Sequence, residues 1–123
     1  MPKRRVRFLF AICGWSVNII TIPPSGVVLE HLHWIKEEVY IGLSGVGKLT
    51  IDGRTTKFSL GSIHHIPTGT SHGLTTEKGV RFLTLEGPTL PNDTIFGLNG
   101  PYPPRPPRSP ASGRRGFLFN LNH

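Results

Sequence analysis

The stretch His31-Leu32-His33-Trp34-Ile35-Lys36-Glu37-Glu38, answered further on by Ile66-Pro67-Thr68-Gly69-Thr70-Ser71-His72, decides how this chain is read. Side chains alternate faces along an extended strand, so His31 and His33 point the same way and reach one point. The same period puts Val27 and Leu29 on the histidine face and Val28, Glu30 and Leu32 on the other. Glu38 opens the next strand, where an antiparallel partner brings it alongside. His72 comes from a separate strand, aimed by the loop that Pro67 and Gly69 set. Neutral imidazoles with one carboxylate suit iron, manganese, zinc, nickel, copper or cobalt. Three histidines and one carboxylate leave one or two octahedral positions open to water, O₂ or substrate.

The surrounding sequence reads as short strands. Residues 6–13 and 17–22 are rich in Val, Ile, Phe and Thr, on either side of Gly14. Pro23-Pro24-Ser25-Gly26 is a turn, and Val27 to His33 is the next strand. Glu38 to Leu43 is another, with Ser44-Gly45-Val46-Gly47 expected to turn the chain into Lys48 to Ile51. Asp52-Gly53 is a two-residue hairpin signal of the type I′ kind. Arg54 to Leu60, Ser62 to Ile66, Ser71 to Thr76 and Gly79 to Glu86 complete the pattern. Asn92 to Phe96 reads equally as a short strand or one helical turn. Such regular punctuation predicts an all-β, antiparallel sandwich, jelly roll or barrel, whose closure protects the strand edges.

Composition sets the limits. The chain has 123 residues, enough for one core. Residues 1–100 are expected to form the barrel domain. Six prolines crowd into 101–110, so 101–123 reads as a separate Pro/Arg-rich tail. The net charge of +7 is concentrated at the ends. Lys3, Arg4, Arg5, Arg7, Arg105, Arg108, Arg114 and Arg115 carry it, while residues 8–104 hold six basic against seven acidic groups. Such tails are usually solvated, and nucleic acid is not the expected partner. Cys13 is the only cysteine, which fits a reducing compartment. No run reaches the ~18 apolar residues of a membrane span. A cytoplasmic location is expected. The basic-then-apolar run from Lys3 to Trp15 keeps a signal peptide as the lesser alternative.

The two motifs together resemble those of the cupin superfamily, small single-domain members in particular. Gly26, His31, His33, Glu38 and Gly45 match the first cupin motif, and Gly61, Pro67, Gly69 and His72 match the second in spacing. Thr76 stands where an asparagine is usual, and Ser62 where an aspartate is common. The motifs cover residues 26–76. The resemblance implies a double-stranded β-helix barrel holding one divalent transition metal (iron, manganese, zinc or nickel) on His31, His33, Glu38 and His72. It also implies a homodimer, for which the strand from Val6 to Ile12 offers an interface.

Two further residues belong to the expected substrate pocket. Tyr40 shares strand parity with Glu38. Of the neighbours His64 and His65, alternation sends one inward, and His65 is taken as the pocket residue. The expected function is a metal-dependent cupin acting on a small oxygenated ligand, a sugar or organic acid. Isomerase, lyase and dioxygenase chemistry all stay open. The alternative is a non-catalytic binding module in which metal orders the ligand or the barrel.

Overall fold

The structure, a computed structural model, describes residues 4–88 and 94–96. They form β1 (Arg5–Ile12), β2 (Trp15–Ile22), β3 (Val27–His33), β4 (Glu37–Ile51), β5 (Arg54–Ser59), β6 (Ile63–Ile66), β7 (His72–Thr75), β8 (Val80–Gly87) and β9 (Thr94–Phe96). The tail over 101–123 lies outside the described residues. Among the described residues no helix is long and apolar enough to cross a membrane. The expected all-β class holds, and the ambiguous stretch near Phe96 is a strand paired with β3.

Every pairing is antiparallel, in the order β1-β2-β8-β4-β7-β3-β9, with β5 and β6 also paired to β4. β4 joins the two halves of the jelly roll. Its first half pairs with β6 and β8, from Glu37 opposite Gly87 to Gly45 opposite Val80. Its second half pairs with β5 and β7. The turn expected over Ser44–Gly47 is therefore a bend inside one long strand. Register slips between Gly42 and Ser44, and Gly45 takes φ +74°. A side chain at Gly45 would collide with the Gly79 carbonyl, so only glycine fits there. The Asp52-Gly53 hairpin is as read: both residues have positive φ, and Ile51 faces Arg54.

Between the two halves lies the core. Phe58, Phe82, Leu49, Ile22 and Ile66 are almost wholly buried. The Tyr40, Phe58 and Phe82 rings meet there with centroids 4.8–6.2 Å apart. Thr76 closes one end: its hydroxyl donates to the Val46 carbonyl at 2.6 Å and accepts the Gly79 N–H at 2.9 Å. It ties the end of β7 to the bend of β4.

β3 departs from simple alternation. Val28 faces Leu74 and His31 faces His72, so β3 spends one more residue than β7 over that interval. This bulge changes the phase. Val28 is buried in the core, together with His31 and His33 beyond the bulge, while Val27 and Leu29 are about half exposed. Gly73 makes the bulge possible, because a Cβ there would meet the backbone of Val28 and Glu30 at 3.0–3.1 Å. A Gly73→Val variant is expected to disturb the bulge and the aim of both β3 histidines. Titration of divalent ion should show at least about tenfold weaker uptake than wild type. Leu49→Ala, which removes buried core volume, should instead cost about 2–5 kcal/mol in urea unfolding and leave uptake by the folded protein unchanged.

Candidate metal centre

His31 and His33 come from β3, Glu38 from the first half of β4, and His72 from the start of β7. His31 and His72 face each other directly across the β3–β7 pair, and His72 is also opposite Ile51 of β4. All four side chains are buried. One ligand atom from each lies within 4.8 Å of all the others. Metal–ligand bonds of about 2.0–2.2 Å place opposite ligands a little over 4 Å apart, so the cluster has the dimensions of a coordination sphere.

The loop before β7 sets His72. Gly69 N–H donates to the His33 carbonyl at 2.6 Å, Thr70 N–H to the Pro67 carbonyl, and Asp52 N–H to the Ser71 carbonyl. The Trp34 ring lies over Gly69, where a Cβ would meet it at 3.3 Å. The two halves of the motif pair thus hold each other.

Hydrogen bonding orients the rings. His31 Nδ1–H donates to the Leu29 carbonyl at 2.7 Å, and His72 Nδ1–H to the Thr70 carbonyl at 2.9 Å. A carbonyl only accepts, so in the neutral rings each Nε2 keeps its lone pair. His72 Nε2 is 3.0 Å from Glu38 Oε1, and His33 Nε2 is 2.9 Å from the same oxygen. For His72, two electron-rich atoms at that distance need a positive charge between them: a second ring proton or a metal ion. The donor set therefore fits a divalent transition metal.

Protonation tells the same story. Burial, then the neighbouring His72, lowers the His31 pKa from 6.5 to about 4, so the ring is neutral near pH 7. Burial alone would raise the Glu38 carboxyl, but the His33 and His72 rings, donating to it when they carry the proton, outweigh it and hold the group well below the ordinary carboxylate range. A neutral imidazole and an ionised carboxylate are the states a metal takes up.

A cavity of about 600 Å³ opens beside the cluster, lined by His31, His33, Glu38 and Tyr40. Tyr40 is therefore where sequence parity puts it. Burial, then Glu38, raises its phenol, which stays protonated. The structure does not bring His65 to this cavity. Tyr40 faces His64, and His65 faces Val39, so on β6 it is His64 that shares Tyr40's side. His64 lies against Phe58, while the half-exposed His65 ring is 2.8 Å from Glu37 Oε1. Glu37, next to Glu38 in β4, is turned to that other face.

Sequence reasoning passed over Asn18, Thr84, Arg4 and the Lys36–Glu86 ion pair (3.2 Å), all of which line the cavity. Asn18 carried a signal, as the one amide within an apolar strand at a position alternating with Ile20 and Ile22.

A curled antiparallel sheet with a buried three-histidine, one-glutamate cluster defines a class of small β-barrel proteins. Residues 18–86 match the family model of the cupin domain, and the chain belongs to that family. Over 91 residues it is 28% identical to mannose-1-phosphate guanylyltransferase of Klebsiella pneumoniae and 29% identical to that of Escherichia coli. Each match covers 72% of this chain and 19% of the relative, so the chain spans about a fifth of the length of these curated relatives. Among solved structures it is similar to an RmlC-like cupin from Shewanella frigidimarina (TM-score 0.68, 16% identity, 72% of this chain and 79% of that one). It also resembles KdgF from Halomonas sp. (TM-score 0.67, 16% identity, 72% and 82%). A third is the polyketide cyclase RemF from Streptomyces resistomycificus (TM-score 0.65, 25% identity, 72% and 67%).

The His31 shift makes the metal-free fold acid-sensitive. Its folded pKa of about 4 lies below the unfolded 6.5, so the unfolded chain binds more protons in that window and stability falls as pH drops through it. The shift corresponds to about 3 kcal/mol. Below the unfolded carboxylate value of 4.5, loss of the depressed Glu38 adds in the same direction. Urea unfolding of metal-free protein from pH 7 to 4.5 should show this slope, and His31→Gln should flatten it.

Proposed function

We propose that this protein is a metal-dependent cupin acting on a small oxygenated ligand, a sugar or an organic acid, with one divalent transition metal held by His31, His33, Glu38 and His72. The convergence of two imidazole Nε2 atoms on one carboxylate oxygen, with His31 beside them, carries this reading. The likeness to proteins named for mannose-1-phosphate chemistry supports a carbohydrate-type ligand. When bound, the ion supplies Lewis acidity toward a ligand oxygen. The chain's own residues do the rest. The Leu29 and Thr70 carbonyls fix the ring orientations of His31 and His72. Tyr40, kept protonated by burial, offers a hydrogen bond inside the cavity. The apolar walls from Ile20, Val28 and Phe82 limit water around the ligand.

Elemental analysis of protein purified without chelator or affinity metal should find near-stoichiometric iron, manganese, zinc or nickel. A His31→Ala/His72→Ala variant should lose it, and Glu38→Gln should bind at least about a hundredfold more weakly, at or beyond the ~10–100-fold cost of losing a group that merely orients a ligand. Protein that contains no metal and takes none up on reconstitution would sink the assignment. Metal-dependent turnover of sugars or organic acids, or O₂ consumption, would identify an enzyme. Metal-dependent binding without turnover would identify the non-catalytic module.

A homodimer through β1 belongs to the same proposal. Every residue of β1 is exposed, and Val6, Phe8, Phe10 and Ile12 are each more than half exposed. Light scattering should give twice the 13.6 kDa chain mass, and Phe8→Asp/Phe10→Asp should give the monomer.

A further inference from the structure

The cavity is organised in rows. Asn18 of β2 faces Thr84 of β8, which in turn faces Tyr40 of β4. Directly paired residues share a face, so these three form one polar row across three adjacent strands. One row further along, Ile20 faces Phe82, and that row is apolar. In the other direction Ser16 faces Glu86, which faces Glu38 of the metal cluster. Asn18, Thr84 and Tyr40 are 7%, 3% and 5% exposed and line the cavity.

Their polar atoms are not used up by the fold. Asn18 Nδ2 donates to Ser16 Oγ at 3.3 Å, and among the described residues its amide oxygen accepts from no donor. Among the described residues, neither the Thr84 nor the Tyr40 hydroxyl has a hydrogen-bond partner, and neither atom is sealed from the cavity. Three polar side chains in one row, opening on one cavity with hydrogen-bonding capacity the fold does not use, suit a ligand with several oxygen functions. The ionised wall adds a second criterion. Arg4 and Lys36 balance Glu38 and Glu86, so a divalent ion at the cluster leaves the wall two charges positive.

We propose that the Asn18–Thr84–Tyr40 row reads the hydroxyl groups of the ligand, and that the ligand is a hydroxylated carboxylate. This rests on the metal-dependent reading above and narrows it. The row is a specificity surface: Tyr40 donates to a ligand oxygen, Asn18 accepts from a hydroxyl, and Thr84 does either. The positive wall takes the carboxylate.

The test uses full-length protein and calorimetric titration with three probes of equal chain length. D-gluconate has hydroxyls and a charge, hexanoate a charge alone, and D-glucitol hydroxyls alone. Gluconate should bind at least about tenfold more tightly than either of the others. Thr84→Val and Tyr40→Phe, which keep side-chain shape, should each weaken gluconate about fivefold or more and leave hexanoate within about twofold. Metal content is measured on the same samples. Wild type that takes up no metal overturns the preceding reading and with it the positive wall, and the row is then scored on metal-free protein by gluconate against hexanoate and by the two variants. Equal affinity for gluconate and hexanoate, equal affinity for gluconate and glucitol, no binding of any probe, or variants that weaken gluconate and hexanoate alike each overturn this one.

Discussion

One carboxylate oxygen, Glu38 Oε1, sits within 3.0 Å of two imidazole nitrogens. With the His72 Nδ1 proton committed to the Thr70 carbonyl, that arrangement calls for a positive charge at its centre. Glu38 belongs to the half of β4 that pairs with β6 and β8, whereas His72 pairs with the other half of β4 and with β3. A cation at this point therefore bridges the two halves of the jelly roll. The bend of β4 at Gly45, the bulge of β3 opposite Gly73 and the Gly69–His33 bond all serve to bring the ligands into register.

The cluster was legible in sequence because its rule is local. Two residues apart on a strand means one face, and that parity survives the bulge because the extra residue falls before His31. The same bulge defeated the reading of Val27 and Leu29 as neighbours of the histidines. It depends on a slip against β7, and no residue of β3 announces it. Ser44-Gly45-Val46-Gly47 failed as a turn for a related reason. A bend and a reversal both use glycine at positive φ, and what separates them is the strand on either side. At Asp52-Gly53 the loop fixes its own geometry, and there the sequence reading and the structure agree.

Thr76 and His65 show how far spacing carries. Thr76 replaces the usual asparagine, yet its hydroxyl clamps the Val46 carbonyl and the Gly79 amide across the β4 bend. A short side chain with one donor and one acceptor suffices where two strands lie this close. His65 needed a parity carried through Pro67 from His72, and β6 ends before that proline. Its real reference is β4, where Val39 faces it and Tyr40 faces His64.

The rows that cross β2, β8 and β4 also order the cavity wall. Neighbouring rows on one face lie two residues apart, about 7 Å at the usual strand rise. Glu38 stands in one row and Tyr40 in the next. That spacing does not hold Tyr40 apart from the metal cluster, since its ring centroid lies 6.0 Å from that of His72. The apolar row of Ile20 and Phe82 then marks where further polar groups would lose water without gaining a partner, which costs free energy. The alternation of the strands, more than any single side chain, sets the order of acidic, polar and apolar rows along this wall of the cavity.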